Sequence, residues 1–293
     1  MRLITAPNTA IGSAWTAMAA LLAAVIAVVL PRSGFAGPPF QTDDPEPVDL
    51  HHYEFYVFSA VDSTPLETDP VGPAFEFNWG ALPNTQVHVV LSFGAIVPSD
   101  GPSAYGLLDT EVGVKYRFLS QTKDRPEVGT FPMVEVPTGS YSRGLGVGKA
   151  SYKLPIWIQK DFGPWTSYGG GGYEVVPQDG FKNFPYAGWL LQRDVGEKWT
   201  LGGELWYHGP EGAVTPHVHS STMFDFGGYY YFRKPAFQLL FALGHSIAGQ
   251  PETYAYLGLY WTWGRKESAA ADAAGPEWSF AARPSAGTAR PYE

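Results

Sequence analysis

The chain has 293 residues, a formal net charge of −9 and no cysteine. Nucleic acid is excluded as a partner, because an acidic chain lacks the basic face that a phosphate backbone requires. Disulfides and thiolate metal sites are excluded with the cysteines. Charged residues are only 16% of the chain, against about 25% in a typical soluble domain, while aromatics reach 15%.

Residues 1–36 read as a cleaved secretory signal peptide. Arg2 precedes an apolar run from Ala17 to Leu30, and Pro31 and Gly34-Phe35-Ala36 follow. A charged start, an apolar centre and a small-residue exit are the parts of such a signal. The run is also shorter than the roughly 20 residues that a bilayer-spanning helix needs. Export would remove Arg2 and Arg32 and leave the chain more acidic. Residues 37–50 carry Pro38, Pro39, Pro45 and Pro47 among Asp43, Asp44 and Glu46, and so cannot form a central strand. This stretch is expected to be a periplasmic leader or a plug inside a barrel.

From residue 51 to 263 the pattern has period two. In Leu108–Phe118, Leu108, Thr110, Val112, Val114, Tyr116 and Phe118 share one face, and Asp109, Glu111, Gly113, Lys115 and Arg117 the other. About twelve strands follow from this alternation. They lie near 51–61, 71–80, 85–97, 105–118, 128–137, 150–160, 165–176, 184–194, 198–208, 222–233, 236–245 and 253–263. Most exceed the roughly 5–6 residues of a soluble strand and match the 9–11 of a tilted membrane strand. Tight connections near 81–84, 161–164, 195–197 and 234–235 alternate with longer ones near 62–70, 138–149, 177–183, 209–221 and 246–252. Trp79, Trp165, Tyr168, Trp199, Tyr207, Trp261 and Trp263 fall near strand ends, where interfacial girdles use amphipathic rings. The expectation is an all-β, antiparallel transmembrane β-barrel of the bacterial outer membrane, embedded in its lipid. The rival is a soluble exported sandwich or barrel that hides its apolar strand faces in a core. Residues 264–293, rich in Ala and Pro, read as a disordered periplasmic tail.

Several stretches carry a resemblance. They are Ala74–Gly80, Leu82–Gln86, Leu108–Phe118, Val136-Pro137-Thr138-Gly139 and Tyr168–Tyr173. Together, over about residues 37–263, the chain resembles bacterial proteins grouped under the MetA pathway of phenol degradation, or simply as transporters. The resemblance implies an outer-membrane barrel that passes small hydrophobic or aromatic solutes. Tyr256–Trp263 also looks like the last-strand signal read by the barrel-assembly machinery, although about 30 residues follow it.

The polar strand faces supply the candidate solute path: Glu54, Glu76, Asp109, Glu111, Lys115, Arg117, Glu135, Lys153, Glu174, Arg193, Glu204 and Asp225. A Lys or Arg facing lipid at the midplane costs about 2–4 kcal/mol, so these side chains are expected to point inward. There they would form either a solute filter or a salt-bridged interior that stiffens a narrow barrel. Gly169–Gly172 is either the seat of the plug or a barrel corner.

Three motif fragments are weaker. Gly144–Ala150 has Arg143 and Ala150 where a phosphate loop needs Gly and Ser or Thr, and reads as a flexible outer loop. Gly244-His245-Ser246-Ile247-Ala248 lacks the last Gly of a nucleophile elbow, and His219 and Ser221 stand two apart. These leave an outer-membrane lipid-modifying enzyme as a lesser alternative, beside a sealed structural envelope barrel. His208, His217 and His219 could gather on one loop, without metal-ligand spacing. No residue is expected to be catalytic, and no cofactor or metal is expected.

Overall fold

A computed structural model describes residues 38–212 and 218–264. The expected signal peptide, the tail beyond Gly264 and His217 lie outside the described residues. The elements are β1 (His52–Ser63), β2 (Glu67–Leu82), β3 (Thr85–Pro98), β4 (Ala104–Leu107), β5 (Thr110–Leu119), β6 (Glu127–Thr130) and β7 (Met133–Val136). A 3₁₀ turn (Tyr141–Arg143) precedes β8 (Ser151–Phe162), β9 (Trp165–Val175), β10 (Phe184–Val195), β11 (Trp199–His208), β12 (Ser221–Arg233), β13 (Phe237–Gly249) and β14 (Thr253–Gly264). Every pairing is antiparallel, and β14 closes onto β1 from His52↔Gly264 to Ser63↔Thr253. β4 and β5 are halves of one wall strand, as are β6 and β7. The wall is therefore a closed twelve-stranded barrel, and closure leaves no unpaired sheet edge. No helix among the described residues is long and apolar enough to cross a membrane.

Both interruptions have local causes. Between β4 and β5 the Asp109 carboxylate turns to the β7–β8 loop, accepting the amides of Gly139 and Val147, each at 2.8 Å. Between β6 and β7 stands Pro132, which has no N–H to give the ladder. Two connections expected to be long are short. β2 starts at Glu67 and β13 runs on to Gly249, so only 64–66 and 250–252 remain as turns. The other long connections share an end of the barrel with these two, opposite the end where residues 52 and 264 meet.

The two strand faces are sorted as a membrane wall requires. Val112, Val114, Leu154, Ile156, Trp189, Leu205, Phe226, Leu243 and Leu257 lie exposed on the outside. Outward rings gather at both rims. Tyr53 stacks between Phe77 and Trp263, and Phe237 stacks on Trp261 5.1 Å away, near the chain ends. Tyr105, Tyr152, Tyr173 and Tyr207 stand exposed near the loop end. The expected girdle holds for Trp79, Trp199, Tyr207 and Trp263, which are exposed, but not for Tyr168, which is buried on the inner face. A soluble sandwich would have covered these apolar faces, and nothing among the described residues does.

Candidate functional site in the barrel lumen

The inner face has two unlike walls. On β2, β3, β5, β7 and β8 the side chains form one charged network. Asn78 donates to Glu76 (2.8 Å) and sits 2.7 Å from His88 Nδ1, whose Nε2 lies 3.0 Å from Glu111. Lys153 then bridges Glu111 at 2.9 Å and Glu135 at 3.2 Å, and Ser151 donates to Glu135. Glu174 lies in register with Lys153 and is buried beside it. Mutual pairing is what makes so many buried charges tolerable, because removing one partner of such a pair costs about 3–5 kcal/mol. Across from it, the inner face of β1, β2 and β12–β14 carries an apolar patch among polar groups such as Glu54 and Asp225. Phe58, Ala60, Val71, Ala74, Met223, Leu240, Ala242, Tyr254 and Tyr256 are all buried in one cluster there.

Residues 38–51 run inside the barrel between these walls. Phe40 joins the apolar cluster, and the Tyr254 hydroxyl donates to the Pro39 carbonyl at 3.0 Å. The amides of Gln41 and Thr42 both donate to the Glu204 carboxylate, the first at 3.0 Å. Asp43 and Asp44 hold Lys115 at 2.8 and 3.3 Å. The Val48 amide donates to Gln86, and Gln159 reaches Glu46 at 3.4 Å. The segment is thus tied to β3, β5, β8, β11 and β14, around the whole circumference. Its seat is not the glycine run of β9. A Cβ on Gly169–Gly172 would strike the backbone or side chains of the neighbouring strands β8 and β10, so those glycines serve the wall itself. The close approaches are Gly188, where a Cβ would overlap Thr42 Oγ1, and Gly80, where it would overlap the Asp49 carbonyl.

Of the twelve expected lumen residues, Glu54, Glu76, Glu111, Lys115, Glu135, Lys153, Glu174, Glu204 and Asp225 meet on the inner face. Glu204 and Asp225 face each other across β11 and β12, both fully buried. Arg117 sits at the chain-end rim, paired with Glu127 at 3.1 Å and with Asn84. Asp109 fastens the β7–β8 loop rather than lining a path. Arg193 departs altogether: it points outward, exposed, with its guanidinium 5.1 Å over the Trp165 ring. A rim position explains this, since a cation near the interface costs little and gains the ring.

The β7–β8 loop is packed rather than free, with Leu145 and Val147 buried and Leu145 in the apolar cluster. At the loop end, His208 contacts Glu252 at 2.9 Å and Glu211 at 3.6 Å. Burial alone would raise the Glu252 carboxyl, but the hydrogen bond and charge of His208 outweigh it and hold the group below its ordinary value. Among the described residues no cluster has the makings of a metal site. The Ser246 hydroxyl accepts the Glu252 amide, and His245 faces outward to Thr253 at 2.8 Å. Ser221 donates to the Gln250 carbonyl. No serine–histidine contact forms at these positions.

A lipid-facing exterior, two aromatic rims and a closed twelve-stranded wall define a transmembrane β-barrel of the outer-membrane type. Solved structures share the architecture. The chain is similar to the COG4313 outer membrane channel from Pseudomonas putida F1, at 16% identity and a TM-score of 0.61, over 75% of this chain and 98% of that one. Weaker likenesses are the NanC porin (10% identity, TM-score 0.49, over 71% of this chain and 98% of that one) and a deletion mutant of the TodX monoaromatic hydrocarbon channel (9% identity, TM-score 0.41, over 82% and 98%). No family model matches the chain, and no curated protein matches it.

Proposed function

We propose that the chain is an outer-membrane channel for small, partly apolar solutes, with residues 38–51 acting as a plug. The observation that carries this is the two-walled lumen. An interior built only for rigidity, or only for ions and water, gains little from an apolar patch set opposite a charged network. A solute with an apolar body and a polar end is matched by both. The fold shared with the Pseudomonas putida channel supports the reading, as does the sequence resemblance to the phenol-degradation transporters. The location follows from the exterior: strands of this length with exposed Leu, Ile, Phe and Val need lipid around them. Export through residues 1–36, folding by the barrel-assembly machinery and a periplasmic tail complete the proposal.

The route also has a feature in the wall. The β1–β2 ladder shifts register between Phe58 and Ala60, and between Val71 and Ala74. A depression of about 440 Å³ opens there, lined by Ala60, Val71 and Tyr256 from the inner face and by Val61, Tyr105 and Leu257 from the outer. Liposome swelling tests the function. Vesicles holding the folded chain should admit benzyl alcohol faster than a sugar of similar size. Equal rates for both, or no rate above empty vesicles, would defeat it. A sealed structural barrel is the second reading, favoured by how fully Phe40 and Leu145 fill the centre. In that case no variant of the plug would open a path.

A further inference from the structure

The chain-end half of the lumen holds a cavity of about 270 Å³, close to the low end of the roughly 300–1,000 Å³ typical of ligand sites. Four tyrosines line it, Tyr56, Tyr168, Tyr229 and Tyr260, together with Glu54 and Glu76. The rings of Tyr56 and Tyr260 lie 4.7 Å apart at 59° to one another. Their hydroxyls donate to Glu54, Tyr260 at 2.8 Å and Tyr56 at 3.1 Å, and Asn78 adds a third bond at 3.3 Å. All three donors are neutral.

The charges around the cavity do not balance. Asp43, Asp44, Glu46 and Asp49 of the plug line it alongside Glu54 and Glu76. The basic groups that line it are already engaged. Lys115 is held by Asp43 and Asp44, and His88 by Glu111 at 3.0 Å with Glu76 at 3.6 Å. Both contacts of Glu76 with Asn78 and His88 go to its Oε1. Asp43 is almost completely buried, and its Oδ2 takes no hydrogen bond among the described residues.

We infer that this cavity binds a small organic ammonium, its cationic nitrogen between Glu54 and Glu76 and its apolar body against the tyrosine rings. A cation attracts the face of an aromatic ring, the more so when desolvated. It also supplies the counter-charge that buried carboxylates need. An anion would meet six carboxylates. A neutral alcohol would gain the rings but leave Glu54 without a cation and Glu76 with only His88, at 3.6 Å and shared with Glu111. The inference rests on the channel reading and makes amines the preferred members of its class of partly apolar solutes.

The test is titration calorimetry on the folded chain in detergent, with benzylammonium, benzyl alcohol and benzoate as probes. Benzylammonium should bind saturably, benzyl alcohol at least tenfold more weakly, and benzoate not at all. Glu54→Gln and Glu76→Gln should each weaken benzylammonium tenfold or more. The comparison of the three probes on the unaltered chain needs no variant, so a variant that fails to fold leaves the test intact. Equal affinity for the alcohol and the ammonium, or no saturable ammonium binding, would overturn the site. The channel reading fails separately: binding of benzylammonium without any solute flux would remove the channel and keep the site, whereas flux without ammonium preference would do the reverse.

Discussion

The Nζ of Lys115, on the barrel wall, lies 2.8 Å from Oδ1 of Asp43, in the segment inside the barrel. Both groups are buried, and Asp44 adds a second contact at 3.3 Å. The pair joins two parts of the chain 72 residues apart. Replacing Lys115 with Met keeps the length of the side chain but strands a buried carboxylate, at about 3–5 kcal/mol. The expected outcome is a folded barrel whose plug residues are cut by added protease and whose conductance rises. A Lys115→Met variant as resistant and as closed as the parent would show that the pair does not hold the plug.

Gly188 offers a purely steric probe. Its inner face is in contact with Thr42, so Gly188→Val displaces the plug without touching a charge. The wall should tolerate it, because valine suits a strand. The variant should migrate as a heat-modifiable folded band and conduct more than the parent. A folded Gly188→Val barrel with unaltered conductance would place the plug elsewhere in the membrane-embedded protein.

Acidity should tighten the plug. Withdrawal from bulk water, then the charges of Asp44 and Glu127, push the Glu46 carboxyl up to about 7, against the weaker pull of Arg117 and with Asp161 adding to the rise. Burial inside the barrel also raises Asp44, more than Lys115 lowers it. A carboxyl whose value is higher seated than free binds more protons when seated. Seating is therefore strongest below the free value near 4.5 and is progressively lost as pH rises toward about 7. Open-channel events should become more frequent between pH 5 and pH 7.5 and level off beyond, and Glu46→Gln should flatten the curve. A frequency that falls as pH rises would reverse the sign of this argument.

The exterior makes its own prediction. Leu243 is 63% exposed, on the outer face of β13. Arginine there should cost about 2–4 kcal/mol in a bilayer and lower the yield of folded, heat-modifiable band. Arginine at the rim position Val195, beside Arg193, should be tolerated. Equal yields for both would contradict a lipid belt around the middle of the wall.

Period-two alternation made the wall legible from the sequence, because one residue in two must face lipid whatever the other does. β5 shows this best: its outward Val112, Val114 and Tyr116 and inward Glu111 and Lys115 are all placed by parity alone. The charged wall was legible for the same reason. The apolar patch was not. In Leu239–Leu243 both faces of β13 are apolar, so parity marks no inside, and only closure of the barrel shows that Leu240 and Ala242 point in. Arg193 failed in the opposite way, since charge suggested the lumen where a rim and a ring were enough. The plug was visible as a proline-rich stretch unable to join the sheet. Its anchors Glu204 and Lys115 lie far off in sequence, and nothing local marks them as partners of Gln41, Thr42 and Asp43.

The most direct measurement is the single-channel conductance, in planar bilayers, of the parent chain and of a variant lacking residues 38–49. With the plug in place the account predicts small, infrequent currents, and without it a steady conductance several times larger. A correctly folded deletion variant with the conductance of the parent would contradict the central claim, that this barrel is a channel closed by its own leading segment.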